Sequence, residues 1–316
     1  MKTILNVIAL LMCSAHISAI AAPAVPDYPA EKIADHTYVI HGPLAFPTKA
    51  NQGFMNNPGF VITEQGVVVI DPGGTLETGR MVLRQIRKLT EQPVTHVLNT
   101  HVHGDHWLGN QAFAEAFPRA LFYAHPEMIK KARVSEANNW INLMENLTEG
   151  MSKGTRAVIP DKAVNEGHSI KTGGFEFRIY APEKAHSHTD IMIEVVNDSV
   201  LFLGDNVTAK RFGRMDDGTF RGNSQACERA LGIQAKYYIP GHGKTGNHQI
   251  VTEYKNYLDI VYTEVSRLYE QGMSDFEMKP LILKKLQNYQ SWSGFEEEYG
   301  RHLSMAVLEV EKAQFE

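Results

Sequence analysis

Cysteine is almost missing from this chain. Only Cys13 and Cys227 occur in 316 residues, so no disulfide framework can hold the fold, and stability has to come from a buried core. No G-x-S-x-G turn occurs either, which leaves no nucleophile elbow for a serine hydrolase. Neither sign of charge dominates: Lys and Arg number 31, Asp and Glu 36, for a net −5. That balance excludes a general nucleic-acid binder. The remaining composition, 43% hydrophobic and 21% charged, is that of an ordinary globular enzyme with one large domain or two moderate ones.

The N-terminus has an apolar run, Ile4–Met12, broken only by Asn6 and preceded by Lys2. It is too short to stay in a bilayer as a spanning helix. With Ala19-Ile20-Ala21 behind it as an A-x-A site, residues 1–21 read as a secretory signal cleaved after Ala21. Lipidation at Cys13 would want a small residue where Met12 stands, so no membrane anchor is expected. Cys227 lies in the helical pattern Ser224–Leu231 and reads as a buried structural thiol.

What is present in unusual density is histidine. Asn99-Thr100-His101-Val102-His103-Gly104-Asp105-His106-Trp107 places four metal-capable side chains within six residues. Imidazole is the commonest protein metal ligand, and zinc takes nitrogen and carboxylate oxygen alike. The apolar run Pro93–Leu98 before it reads as a buried strand and Trp107–Phe117 after it as a helix, which puts the cluster on a strand-to-helix loop.

Elsewhere the chain alternates. Ile33–His41 reads as a strand, Gly59–Thr63 and Val67–Asp71 as a hairpin about Glu64-Gln65-Gly66, and Thr78–Leu89 as an amphipathic helix. Leu121–Ala124 reads as a strand and Pro126–Ala137 as a helix; Asn138–Gly154 is mixed, a lid or an insertion. Glu166–Ile170 with Phe175–Tyr180, then Asp190–Val196 with Val200–Leu203, make two more strand pairs. Beyond Gln249 the spacing is helical: Ile250–Gln271, Asp275–Gln287 and Gly294–Lys312.

Three later segments also end apolar strands with metal-capable residues: Ala185–Asp190, Leu203–Asn206 and Ile239–Gly243. His101-x-His103-x-Asp105-His106 with these three in order resembles the metallo-β-lactamase fold superfamily. The resemblance implies an α/β (α+β) chain folded as an αββα four-layer sandwich with metals at one edge between the sheets. It divides the chain into a leader (1–21), a catalytic domain (22–248) and a helical C-terminal extension packed on it (249–316).

The resemblance also implies a ligand set of the glyoxalase II type. His101, His103 and His186 would hold one ion; Asp105, His106 and His242 would hold the second; Asp205 would bridge them. The family pattern has an acidic residue four positions after the ligand histidine, here Asp190, which favours His186 over His188, though spacing alone leaves both open. Asp205 stands where classical one-cysteine β-lactamases carry cysteine. Asp71, before Pro72-Gly73-Gly74, would support the metal loop. His36, His41, His96, His125, His168, His248 and His302 lack any such context and read as surface or packed histidines.

The implied enzyme is a metallohydrolase with two Zn2+ per chain, iron or manganese being alternatives. It would hold a hydroxide between the ions, with Asp105 orienting it and moving its proton. The substrate would be a small molecule with an ester, thioester, lactone or amide bond, β-lactams included. Candidate substrate contacts are Phe54 and Met55 in loop Phe46–Pro58, His188, and Lys210 and Arg214 in the cationic stretch Asn206–Asn223, which also holds Arg211 and Arg221. Those cations read equally as solvated loop charges beside Asp216 and Asp217. An exported chain with a helical tail resembles the periplasmic branch of the family, in the style of proteins associated with sulfur oxidation and quinoprotein systems. The competing expectation is a mononuclear iron oxidoreductase of the persulfide dioxygenase type, which would leave His106 and His242 without a metal. A third is a non-catalytic metal-binding protein.

Overall fold

The computed structural model describes residues 25–315, so the expected leader over residues 1–21, with Cys13, lies outside the described residues. β1 (Glu31–Lys32), β2 (Thr37–Val39), β3 (Gly59–Thr63) and β4 (Gly66–Ile70) run antiparallel, each to the last. α1 (Leu76–Arg87) then crosses to β5 (Val94–Leu98), parallel to β4. Short helices α2 (Gly104–Trp107) and α3 (Asn110–Ala116) lead to β6 (Leu121–Ala124). α4 (Pro126–Lys131) and α5 (Ala137–Leu147) lead on to β7 (Lys162–Ala163). These two strands continue the parallel pairing, completing a seven-stranded sheet in chain order.

The second sheet starts with β8 (Ser169–Thr172), β9 (Phe175–Tyr180), β10 (Met192–Val195) and β11 (Val200–Phe202), all antiparallel. α6 (Phe220–Ile233) crosses to β12 (Tyr237–Ile239), which lies parallel to β11 at the sheet edge. α7 (His248–Tyr269), α8 (Asp275–Leu283) and α9 (Phe295–Ala313) follow.

Side-chain periodicity explains the layers. In β9, Phe175, Phe177 and Ile179 are buried and alternate with half-exposed Glu176, Arg178 and Tyr180, the pattern of a strand with one wet face. β4 is buried at every position because both its faces are covered. Val68 and Ile70 meet Phe177, Ile179, Ile193 and Phe202 between the sheets, while Val67 and Val69 meet Met81, Val82 and Phe113 of α1 and α3. Each fully buried side chain of this kind contributes roughly 1.5–3 kcal/mol. On the far side, Leu201 and Tyr238 join an apolar cluster with Cys227 of α6, Tyr257 of α7, Ile282 of α8 and Leu303 of α9. Helices, sheet, sheet, helices: the four layers are those expected. No helix among the described residues is long and apolar enough to cross a membrane.

Three local readings change. The helix expected over Trp107–Phe117 is two helices, broken where Gly109 N–H donates to the Gly73 carbonyl at 2.7 Å and a Cβ would press on Pro72 O. Asp105 and His106 therefore sit in the short helix α2, and only His101 and His103 are on the loop. α1 starts at Leu76, before the expected Thr78, because Thr75 Oγ1 caps it by accepting from Thr78 N–H at 3.1 Å. Asn138–Gly154 is mainly helical: a π-turn over Ala132–Glu136 carries α4 into α5.

Candidate metal centre

The carboxyl ends of β4, β5, β9, β11 and β12 all open on one edge of the sandwich. Asp71 follows β4, His101 and His103 follow β5, His186 follows β9, Asp205 follows β11 and His242 follows β12. The loops are stitched to one another. Ile191 N–H donates to Thr100 O (2.8 Å), Val102 N–H to Thr189 Oγ1 (3.0 Å), and Gly241 N–H to Gly204 O (2.8 Å). Gly241 has no room for a side chain, since a Cβ there would collide with Asp205 Oδ1.

Two groups of ligand atoms result, each gathered within 4.8 Å: His101, His103, His186 and Asp205, and beside them Asp105, His106 and His242. All seven residues are buried. Asp205 reaches both groups, with Oδ1 3.2 Å from His106 Nε2 and Oδ2 3.3 Å from His242 Nε2 and 3.6 Å from His186 Nε2. Asp105 Oδ2 lies 3.2 Å from His242 Nε2 and 3.4 Å from His106 Nε2.

The outward ring nitrogens fix the tautomers. His242 Nδ1 is 2.9 Å from the Met55 carbonyl, which can only accept, so Nδ1 carries the hydrogen. His106 Nδ1 donates to Asp71 Oδ2 (2.8 Å) and His103 Nε2 to Asp217 Oδ2 (2.9 Å) by the same logic. Thr100 Oγ1 gives its own hydrogen to Asp71 Oδ2 (2.6 Å) and so accepts from His101 Nδ1 (3.0 Å). Each of these rings then turns its other nitrogen inward, and His103 Nδ1 lies 3.0 Å from His186 Nε2. His101 Nε2, His106 Nε2 and Asp205 Oδ1 are sealed from solvent with no hydrogen-bond partner. Ring nitrogens facing carboxylate oxygens at 3.2–3.4 Å call for positive charge among them, a proton on the ring or a metal ion. The donor set of imidazoles and carboxylates fits a pair of divalent metal ions.

Electrostatics agree. Burial opposes charge on Asp105 and Asp205, yet their histidine neighbours, His106 and His242, hold both carboxyls well below the usual range. Burial would lower His106, but Asp105, Asp205 and Asp71 raise it well above its ordinary value. Burial and neighbouring imidazoles drive His101 well down. Burial chiefly takes His186 to about 3.

Over the cluster lies a narrow pocket of about 90 Å³, lined by Phe46, Pro47 and Met55, by Trp140, Leu143, Met144 and Leu147 of α5, and by Arg211, Gly213 and Arg214. Met55 and Arg214 thus line this pocket. Phe54 does not: it is fully buried beneath the loop against Tyr28. Lys210, with a left-handed φ of 59°, turns out to pair with Glu253 and stack on Trp292, away from the pocket. His188 is exposed on an outer hollow with His125 and Glu127. The α5 wall went unread in the sequence, although Trp140, Leu143, Met144 and Leu147 carry the helical i, i+3, i+4, i+7 spacing that would have shown it. Asp217, which orients His103, carried no signal beyond its charge.

Comparison with known proteins places this geometry. The metallo-beta-lactamase superfamily profile matches residues 52–242. The chain belongs to the metallo-beta-lactamase superfamily. Within it, the chain is 24% identical over 196 residues to a probable metallo-hydrolase of Streptococcus pyogenes serotype M6, covering 59% of this chain and 78% of that protein. A metallo-beta-lactamase from Pontibacter korlensis superimposes with TM-score 0.58 at 19% identity, over 73% of this chain and 98% of that one. A variant of the sec-alkyl sulfatase PisA1 gives TM-score 0.63 at 15% identity, over 80% of this chain and 45% of that one. Membership of the metallo-beta-lactamase superfamily, with two His/Asp groups able to take metal, makes the chain a metal-dependent hydrolase.

Within such a centre Asp71 acts through His106 and Thr100. It adopts a left-handed φ of 51°, unusual for a residue with a side chain, and both its oxygens are occupied. Replacing Asp71 with alanine should weaken metal retention by roughly 10–100-fold. Competition against a chromogenic chelator reads this directly, and an unchanged competition curve would remove Asp71 from that role.

Proposed function

We propose that the chain is an exported hydrolase carrying two zinc ions, which cleaves an ester, thioester, lactone or amide bond, β-lactams included, in a small-molecule substrate. The observation that carries the reading is the set of inward ring nitrogens of His106 and His242 facing Asp105 and Asp205, with their outer nitrogens held by Asp71 and the Met55 carbonyl. His101, His103 and His186 would hold one ion, Asp105, His106 and His242 the other, and Asp205 would serve both. When bound, such a pair supplies Lewis acidity, making water nucleophilic near neutral pH and drawing charge from the oxygen of the bond under attack.

The chain's own residues do the rest. Asp105, ionised and lining the pocket, orients the attacking water and takes its proton. Outer partners hold four of the five rings, with Asp217 on His103 and the Met55 carbonyl on His242. The apolar wall of Phe46, Trp140, Leu143 and Leu147 excludes bulk water. Export to the periplasm is supported by the leader pattern over residues 1–21.

The test is metal content by mass spectrometry on protein purified without added metal, followed by a hydrolytic panel of β-lactams, lactones and thioesters. Close to two zinc per chain, with activity lost to chelator, is the expected result. About one iron per chain with oxygen uptake on persulfides would overturn it in favour of the dioxygenase reading.

A further inference from the structure

The loop that forms one rim of the pocket is held from far along the chain. Residues 207–219 form no helix or strand, only isolated bridges, yet Phe212 and Met215 within them are buried. A buried irregular backbone must find partners for its polar groups. The turn before α9, and α9 itself, supply them here. Phe212 N–H donates to Ser293 O at 2.8 Å, and Ser293 N–H donates to Lys210 O at 3.0 Å. His302 Nε2–H donates to Gly213 O at 2.8 Å. Burial keeps the His302 ring neutral, so its Nδ1 accepts from Tyr257 Oη–H at 2.7 Å.

The opposite wall is tied to the same turn. Ser293 Oγ–H donates to Leu44 O at 2.8 Å, two residues before Phe46. Gly294, at a φ of 80°, lets the chain pass close by: a Cβ there would sit 3.3 Å from Phe46 Cζ. Phe46 and Gly213 both line the pocket. One remote stretch, residues 293–302, thus fixes backbone on two sides of the opening. Apolar packing gives burial without direction, whereas a hydrogen bond sets both distance and angle. None of these hydrogen bonds reaches any of the seven metal-facing side chains.

We infer that His302 is a positioning residue for substrate: through the Gly213 carbonyl it fixes the pocket's rim, and Ser293 does the same on the Leu44 side. It governs how tightly substrate is held and leaves the metal ions and the chemical step alone. This rests on the proposed use of the pocket as the substrate site.

The experiment compares wild type, His302→Phe, His302→Gln and Ser293→Ala as full chains with their native metal complement. His302→Phe keeps a ring and loses both hydrogen bonds, while His302→Gln still has an amide N–H to offer Gly213 O. Amide hydrogen exchange is followed over residues 206–219, and kinetics on p-nitrophenyl acetate and p-nitrophenyl hexanoate. In His302→Phe, rim exchange should quicken and KM rise, each at least tenfold. Exchange in both sheets, kcat and metal content should stay within threefold of wild type. His302→Gln should recover rim exchange and KM to within threefold. Ser293→Ala should quicken exchange over residues 43–51 and raise KM, each at least threefold, and it decides the matter if His302→Phe does not fold. Rim exchange within twofold of wild type in His302→Phe overturns the inference, and so does an unmoved KM above a loosened rim. Faster exchange throughout both sheets marks His302 as merely structural, and a fall in kcat or metal content marks it as part of the metal centre; either result overturns it too. If wild type cleaves neither ester, that counts against the hydrolase reading alone, and rim exchange, which needs no turnover, decides for His302.

Discussion

Asp205→Ala should leave the chain with at most one metal ion and lower hydrolysis by on the order of 10³-fold or more, about 4 kcal/mol of transition-state stabilisation. The expectation follows from position. Asp205 is the residue whose oxygens face rings of both groups, His106 and His242 of one and His186 of the other. Its carboxylate is buried, and burial opposes its charge; the surrounding histidines outweigh that opposition. Alanine removes the one carboxylate the two groups share and leaves five imidazoles crowded around a gap. Asp205→Asn keeps the shape without the charge and should behave nearly as badly, since a neutral amide cannot supply the negative charge that two cations would share. Metal stoichiometry and rate on the best substrate of the panel are the measurements. Two ions retained with a rate within threefold of wild type would show that the groups do not depend on a shared carboxylate.

Asp105→Asn is the second large effect, and its signature differs. Asp105 meets only the His106 and His242 group, and it also lines the pocket. It is held ionised, so it is ready to accept a proton across the neutral range. An asparagine of the same outline cannot. The expected result is a fall in kcat of roughly 10²–10⁴-fold, the span of general acid–base catalysis, with KM changed only a few-fold. The ion held by His101, His103, His186 and Asp205 should persist, so metal content falls by no more than one per chain. A variant whose loss lies in KM, or whose kcat stays within threefold, would take the proton-handling role away from Asp105.

How far the sequence could be read depended on whether the determinants were local. His101, His103, Asp105 and His106 stand close together after an apolar strand, and spacing alone exposes them. The choice between His186 and His188 has a physical basis that the pattern only hinted at. Asp190 bends back to accept from Ser187 N–H and Ser187 Oγ–H, both at 2.7 Å, and this clasp turns His186 inward and leaves His188 exposed. Adjacent loop residues were the hard cases. Phe54 and Met55 are neighbours of similar character, but one is buried under the loop and the other lines the pocket. Lys210 and Arg211 are neighbours of like charge, and a left-handed turn at Lys210 sends one to solvent and the other inward. No periodicity governs such loops, so nothing in the order of residues tells the two sides apart. The break at Gly109 was hidden for another reason: it depends on Gly73, which is remote in sequence.

His302 of α9 is buried between two remote partners. It accepts from Tyr257 Oη–H at 2.7 Å, and its Nε2–H donates to the Gly213 carbonyl at 2.8 Å, on the pocket rim between Arg211 and Arg214. Burial holds its ring neutral, with a pKa near 4, so this chain of hydrogen bonds keeps its direction across the physiological range. The consequence concerns order along the chain. All seven metal-facing side chains lie at or before residue 242, and both sheets are complete by residue 239. The hold on the rim beside Arg211 arrives some sixty residues later, with His302. The residues that gather the cluster and the residue that holds the rim above it are therefore separate stretches of the chain, the ligands complete before the rim's anchor begins.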